Sequence, residues 1–156
     1  MSKEEFRFHL SFRVRWAECD LQGIVYNACY VTYLEVAQVE YFRNLGILIY
    51  DEKQRTSFDT ATVKATLEFK APARLDEMIE VYTRVSGIGS SSFTMETEIY
   101  REGSDLLLLN AEVVYVNYDS DQSAARPVSD HVRARISSFE ETGEVVLTGE
   151  ELANPR

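Results

Sequence analysis

A long helical stretch set between strongly alternating ones limits this chain to few folds. From Phe6 to Ala17 the side chains alternate strictly. Phe6, Phe8, Leu10, Phe12, Val14 and Trp16 fall on one side, and Arg7, His9, Ser11, Arg13 and Arg15 on the other. That period of two marks a strand with one buried face. From about Asn27 to Leu45 the period changes: Tyr30, Leu34, Ala37 and Tyr41 recur at helical spacing, with Val31 and Leu45 widening the stripe. Asn27 is placed to cap the start and Gly46 to stop the end.

The remainder reads mostly as strand. Val63, Ala65, Leu67 and Phe69 alternate with Lys64, Thr66, Glu68 and Lys70, and Ala71-Pro72-Ala73-Arg74 makes a break. Strands follow over Met78 to Val85 and Ser92 to Arg101, with Gly87 and Gly89 marking the turn between them. Glu102-Gly103-Ser104-Asp105 signals a tight turn. Leu106 to Tyr118 is apolar on both faces, which places it inside a sheet rather than at its edge. After Pro127 a short helix is expected from Ser129 to Phe139, with Val132, Ile136 and Phe139 on one side. The predicted class is α+β, in the order β-α-β-β-β-β with a short C-terminal helix. One amphipathic helix and about five antiparallel strands bury each other well when the sheet curls around the helix, as in the hot-dog fold; the alternative is a flatter sandwich. The expected domain covers residues 1–139, and 140–156 reads as an acidic, loosely ordered tail.

Charge narrows the partners. Sixteen Lys and Arg stand against 26 Asp and Glu, a formal net charge of −10, which argues against nucleic acid. A polyanionic ligand would need a local basic patch against that field. No apolar run approaches a membrane span, and Met1 to Phe6 has no apolar core of a secretory signal. The two cysteines, Cys19 and Cys29, form neither a disulfide framework nor a metal-ligand spacing. A reducing, cytoplasmic setting is the expectation, with no cofactor or metal called for.

The informative stretch is Trp16-Ala17-Glu18-Cys19-Asp20-Leu21-Gln22-Gly23-Ile24-Val25-Tyr26-Asn27-Ala28-Cys29-Tyr30. It sets a carboxylate, Asp20, in a turn between a strand and a helix N-terminus. Gly23 lets the backbone turn sharply or approach a ligand closely. The helix start offers unpaired N–H groups and the positive end of its dipole. A carboxylate beside exposed amide donors suits acyl transfer: one attacks or activates water, the others hold the developing oxyanion. A carboxylate that merely caps its own turn would look the same from these residues.

This stretch resembles the signature of the 4-hydroxybenzoyl-CoA thioesterase family, a branch of the hot-dog superfamily. It is particularly similar to the small acyl-CoA thioesterases associated with the Tol–Pal system. The matching residues are Asp20, Gly23-Ile24-Val25-Tyr26, Tyr30 and Tyr33-Leu34-Glu35. A second stretch, Phe69 to Glu77, resembles another part of the family, and the likeness runs from about Phe8 to Phe139. The resemblance implies hydrolysis of an acyl thioester of coenzyme A or of acyl carrier protein. Asp20 would be nucleophile or general base, the Asn27 amide the oxyanion donor, and Gly23, Tyr26 and Tyr30 would border the substrate. It further implies a homodimer at minimum, commonly a homotetramer, with sites between subunits. Tol–Pal-associated members commonly carry His where this chain has Asn27, so imidazole assistance is missing; neither His9 nor His131 is placed to replace it.

Other candidates are weighed beside these. Glu35 lies next to Leu34 on the helical wheel and either points inward or pairs on the surface. A thiol nucleophile at Cys19 or Cys29 lacks a base nearby in sequence. Lys64, Lys70, Arg74, Arg84 and Arg101 are the cations available to coenzyme A phosphates, with Lys70 and Arg74 nearest the second stretch, and Ser90-Ser91-Ser92 is available to a pantetheine arm. A dehydratase of the same fold would need a positioned histidine. A non-catalytic module that binds acyl thioesters as sensor or scaffold is the remaining alternative.

Overall fold

The long helix α1 runs from Cys29 to Asn44 and buries Tyr30, Tyr33, Leu34, Ala37, Gln38, Tyr41 and Phe42. These follow one another at intervals of three and one, the stripe that 3.6 residues per turn produces. Val31 lies outside it, 53% exposed, whereas Leu45 is fully buried. The helix is not capped by Asn27. Ala28 takes the N-cap position in helical conformation, without a side-chain bond. Tight bonds from Cys29 N–H to Tyr26 O, Tyr30 N–H to Asn27 O and Val31 N–H to Ala28 O wind the chain into the helix instead. The other end stops as expected. Gly46 adopts a left-handed φ of 75°, its N–H donates to Arg43 O, and Ile47 N–H donates to Phe42 O. This is the paired closure that satisfies carbonyls otherwise orphaned at a helix C-terminus. The buried Arg135 adds a bond from Nη1 to Leu45 O at 2.8 Å.

This computed structural model describes residues 2–49, 51–55 and 57–145, apart from the side chain of Gln54. Besides α1 it contains β1 (Phe8–Arg13), α2 (Glu52–Arg55), β2 (Thr60–Phe69), β3 (Met78–Ile88), β4 (Ser92–Arg101), β5 (Leu107–Asp119), a two-residue β6 (Ala124–Ala125) and α3 (Asp130–Thr142). The antiparallel sheet has the order β1-β3-β4-β5-β2, with β6 on the end of β5. It curls around α1, the hot-dog architecture expected from the pattern. The inner face supplies Ile79, Val81 and Val85 from β3, Phe93, Met95 and Ile99 from β4, and Leu109, Ala111, Val113 and Tyr115 from β5, all buried with the α1 stripe in one core. As its two-sided apolar character requires, β5 lies inside the sheet, between β4 and β2. The edge strand β2 is largely exposed, and a register shift between Thr62 and Lys64 leaves Val63 without a partner residue.

Two expectations give way. Trp16 does not continue the buried face of β1; it is 83% exposed. The last link to the sheet is Val14, whose N–H donates to Glu77 O and whose carbonyl accepts from Asp76 N–H. Beyond it the chain enters a single 3-10 turn over Trp16–Glu18, so the alternation ends there. The C-terminal helix, capped by Ser129 Oγ, runs past Phe139 to Thr142 and ends at left-handed Gly143. Glu140 is therefore inside the structure rather than at the start of a tail, accepting from Tyr41 Oη at 2.5 Å and from Val85 N–H at 3.0 Å. The last part of the expected tail, 146–156, lies outside the described residues.

Candidate active site

Between the 3-10 turn and α1 the chain makes a small hairpin. Cys19 bridges Val25, Asp20 N–H donates to Ile24 O at 3.0 Å, and Gly23 N–H donates to Asp20 O at 3.0 Å. Gly23 has φ 73°, a left-handed conformation that a side chain would strain. Asp20 is exposed at this turn, and its Oδ1 accepts from Gln22 N–H at 2.8 Å. The carboxylate thus closes its own turn with one oxygen. Among the described residues, the second oxygen has no hydrogen-bond partner.

The hairpin is pinned on both sides. Val25 N–H donates to Ala73 O at 2.9 Å and Leu75 N–H to Gly23 O at 3.1 Å, which joins the first sequence stretch to the second. A groove opens beside it, lined by Ile24, Val25, Asn27, Tyr30, Phe69, Lys70, Ala71 and Pro72. Tyr30 is buried in the wall, its ring edge-on to Phe69 at 5.6 Å, and its hydroxyl accepts from Ala73 N–H. Burial pushes that phenol upward, so it stays neutral. Among the described residues the amides of Asn27 and Ala28 have no acceptor, and both stand at the positive end of α1.

The expected site residues divide accordingly. Asn27, Tyr30 and Lys70 line the groove; Asp20 and Gly23 form the adjoining hairpin, and Asp20 is not among the lining residues. Tyr26 is 58% exposed at the hairpin's end. Arg74 bridges Ile24 through its backbone, and among the described residues no acid pairs with its side chain. The other cations are mostly committed: Lys70 to Glu68 at 2.6 Å, Arg84 to Glu96 at 2.8 Å, and Arg101 to Glu77 at 3.1 Å. Ser90 to Ser92 is not brought to the groove within one chain. Ser92 pairs with Val116, and Val116 with Ala61, at the end of the sheet opposite Phe69. Glu35 is exposed, beside Val31, Leu34, Gln38 and Thr60 in a second groove farther along α1 and β2.

Neither the histidines nor the cysteines line the groove. His9 stacks on Tyr82 at 4.8 Å on the outer face of the sheet, and His131 is exposed on α3. Burial, with Glu18 and Asp20 nearby, pushes the Cys19 thiol up and away from thiolate.

One buried residue beside the groove escaped the sequence reading. Glu18 is buried, 8% exposed. It accepts from Arg15 N–H at 2.9 Å, from the Arg15 guanidinium at 2.5 and 2.6 Å, and from Tyr33 Oη at 2.5 Å. Burial alone would raise its carboxyl, but the Arg15 amide, the Tyr33 hydroxyl and the Arg15 charge outweigh it and hold the group below the usual carboxylate range. The chain carried no signal for it: the alternation of β1 ends at Val14, and Trp16, of the same parity, is 83% exposed.

A family model described as the thioesterase-like superfamily matches residues 14–136. The acyl-CoA thioester hydrolase YbgC of Escherichia coli is 32% identical over 114 residues, which is 72% of this chain and 82% of that protein. In structure the chain resembles Slr0204, a 1,4-dihydroxy-2-naphthoyl-CoA thioesterase from Synechocystis, with a TM-score of 0.77 at 20% identity over 85% of this chain and 97% of that one. It also resembles a Thermus thermophilus thioesterase complexed with coenzyme A and zinc, with a TM-score of 0.75 at 24% identity over 92% and 99%. With the curled sheet, the central helix and a family match that spans both the hairpin and the groove, this chain belongs to the thioesterase-like superfamily of hot-dog proteins.

Proposed function

We propose that this protein hydrolyses acyl thioesters of coenzyme A or acyl carrier protein, with Asp20 as the reacting carboxylate. The observation that carries this reading is the pair of unaccepted amides at Asn27, which lines the groove beside the Asp20 turn, and at the following Ala28. In the general-base form, Asp20 takes a proton from water as the water oxygen bonds to the thioester carbonyl carbon. The carbonyl oxygen becomes an oxyanion held by the two amides, where a single such donor typically contributes about 10²–10³ in turnover. Collapse breaks the carbon–sulfur bond, and the departing thiolate recovers the proton. In the nucleophilic form, Asp20 bonds to the same carbon and the carbon–sulfur bond breaks to release thiolate; water then cleaves the resulting anhydride to the free acid and the Asp20 carboxylate, and the proton released goes to the thiolate. With no histidine at the groove, the backbone donors and the helix dipole supply the electrophilic assistance. Gly23, Tyr26 and Tyr30 border the acyl thioester, and Lys70 and Arg74 meet the coenzyme A phosphates. The motif residues Asp20, Gly23 to Tyr26, Tyr30 and Tyr33 to Glu35 support placement in the 4-hydroxybenzoyl-CoA branch near the Tol–Pal-associated enzymes, acting in the cytoplasm.

A panel of acyl-CoAs from acetyl to medium-chain and aryl, with released thiol trapped by a chromogenic reagent, tests this directly. Turnover of at least one member is expected. Binding without thiol release would instead make the chain a sensor or scaffold, the reading that the Asp20–Gln22 turn bond favours.

Assembly belongs to the same proposal. The β2 edge is ten residues long, with Val63 58% and Phe69 50% exposed, and such an edge invites pairing. A homodimer at minimum, and a homotetramer at its fullest, is expected. Light scattering should give a mass at least twice 17.9 kDa, and a Val63→Lys variant should shift toward monomer. A monomeric wild type would refute this.

A further inference from the structure

We infer that Glu18 is a positioning residue for the hydrolysis, fixing the hairpin that carries Asp20 against the first turns of α1; this rests on the hydrolytic reading above. Glu18 is fastened at three points. Its carbonyl accepts from Tyr26 N–H at 2.8 Å, one residue before the Asn27 amide. Its carboxylate accepts from Tyr33 Oη at 2.5 Å, in the second turn of α1, and from the Arg15 amide and guanidinium on the strand side. The hairpin from Cys19 to Val25 thus has Glu18 next to its first residue and bonded to the residue after its last. Tyr33 is itself fully buried, and edge-on to Phe12 at 5.0 Å and to Tyr30 at 5.7 Å. The Glu18–Tyr33 contact thus ties the base of the carboxylate turn to α1, beside the bonds to Ala73 and Leu75 that pin the hairpin's other side.

Such a contact controls geometry rather than affinity. Asp20 is exposed and carries only a local turn bond, so its place relative to the Asn27 and Ala28 amides depends on the base of its hairpin. A displacement of about 1 Å at a reacting group can cost about 10²-fold in rate. Substrate held along the groove by Tyr30, Phe69 and Lys70 would bind nearly as before. Losing the Glu18–Tyr33 bond should then lower kcat and leave KM nearly unchanged.

The test compares wild type with Asp20→Asn, Glu18→Ala, Glu18→Gln and Tyr33→Phe. It measures kcat and KM on the best acyl-CoA of the panel, and amide hydrogen exchange in each protein. Glu18→Ala should lose about 10²-fold in kcat and Tyr33→Phe about tenfold, with KM within about twofold in both. Glu18→Gln, whose amide oxygen still accepts from Tyr33, should recover part of the loss. Exchange should quicken at Asp20, Gly23 and Tyr26 while staying slow in β4, since the loosening is local. Unchanged kcat in Glu18→Ala and Tyr33→Phe, with Asp20→Asn inactive, overturns the positioning role and leaves the hydrolytic reading intact. A rise in KM alone overturns it too. Should wild type release no thiol, the hydrolytic reading falls, and unaltered exchange in Tyr33→Phe then removes the positional claim as well. That variant deletes one hydroxyl and keeps its ring, so it serves if Glu18→Ala does not fold.

Discussion

Asp20→Asn should lower turnover by about 10²–10⁴-fold, the range that a positioned proton acceptor contributes, and should leave acyl-CoA binding and the fold in place. Asparagine suits the purpose because its side-chain oxygen can still accept from Gln22 N–H, the one bond that Asp20 makes through its carboxylate. The turn survives and the carboxylate does not. Alanine would remove both, and its effect could be assigned to a loosened hairpin. Steady-state kinetics together with equilibrium binding of a non-hydrolysable acyl thioether decide the matter. An Asn variant within about threefold of wild type in kcat would remove Asp20 from the chemistry.

The second large effect concerns stability and lies at the other end of α1. Glu140→Ala should destabilise the protein by about 2–4 kcal/mol, because the Tyr41 hydroxyl, on a fully buried residue, and the Val85 N–H both lose their acceptor. Glu140→Gln keeps an acceptor oxygen and should cost far less. The two variants also separate in their dependence on pH. Burial raises the Glu140 carboxyl above its ordinary 4.5, and the bonds from Tyr41 and Val85 only partly offset it. The native state therefore holds its proton to higher pH than the unfolded chain does. This contribution is complete below about pH 4.5 and is lost as pH rises through the native value. Glu18 and Glu80, whose carboxyls are held low, act in the opposite sense and lose their contribution as pH falls through their native values. Urea midpoints at fixed protein concentration should show Glu140→Gln gaining on wild type as pH increases from 4.5 upward. A constant difference across that range would mean that Glu140 does not titrate differently on folding.

The elements were legible because their periods are clean. The β4 limits, Ser92 and Arg101, are those read from the chain, and Tyr30, Leu34, Ala37 and Tyr41 are buried where helical spacing puts them. What misled was local pattern carried past the point where tertiary bonds take over. Trp16 keeps the parity of Val14, yet β1's link to the strand-side loop ends at Val14 and the next residues turn. Asn27 is a favourable cap residue, but bonds back to Tyr26, Asn27 and Ala28 start the helix without it. Glu140 reads as the first residue of an acidic tail, while its partners Tyr41 and Val85 lie 99 and 55 residues away. Long-range acceptors of that kind leave no mark on a single sequence. The groove was legible in part: Asn27, Tyr30 and Lys70, named from the chain, line it, while Asp20, Gly23 and Arg74 lie in the adjoining hairpin and loop. The hairpin's fastening through Glu18 and Tyr33 was not, since a glutamate in a charged turn looks solvated until the helix above it is in place.

The two ends of α1 are finished in opposite ways. At the far end Gly46, Ile47 and Arg135 occupy the terminal carbonyls, so that end is locked into the core. At the near end the amides of Asn27 and Ala28 remain open. Under the proposed chemistry a bound oxyanion would be the missing cap, and binding would then complete the helix.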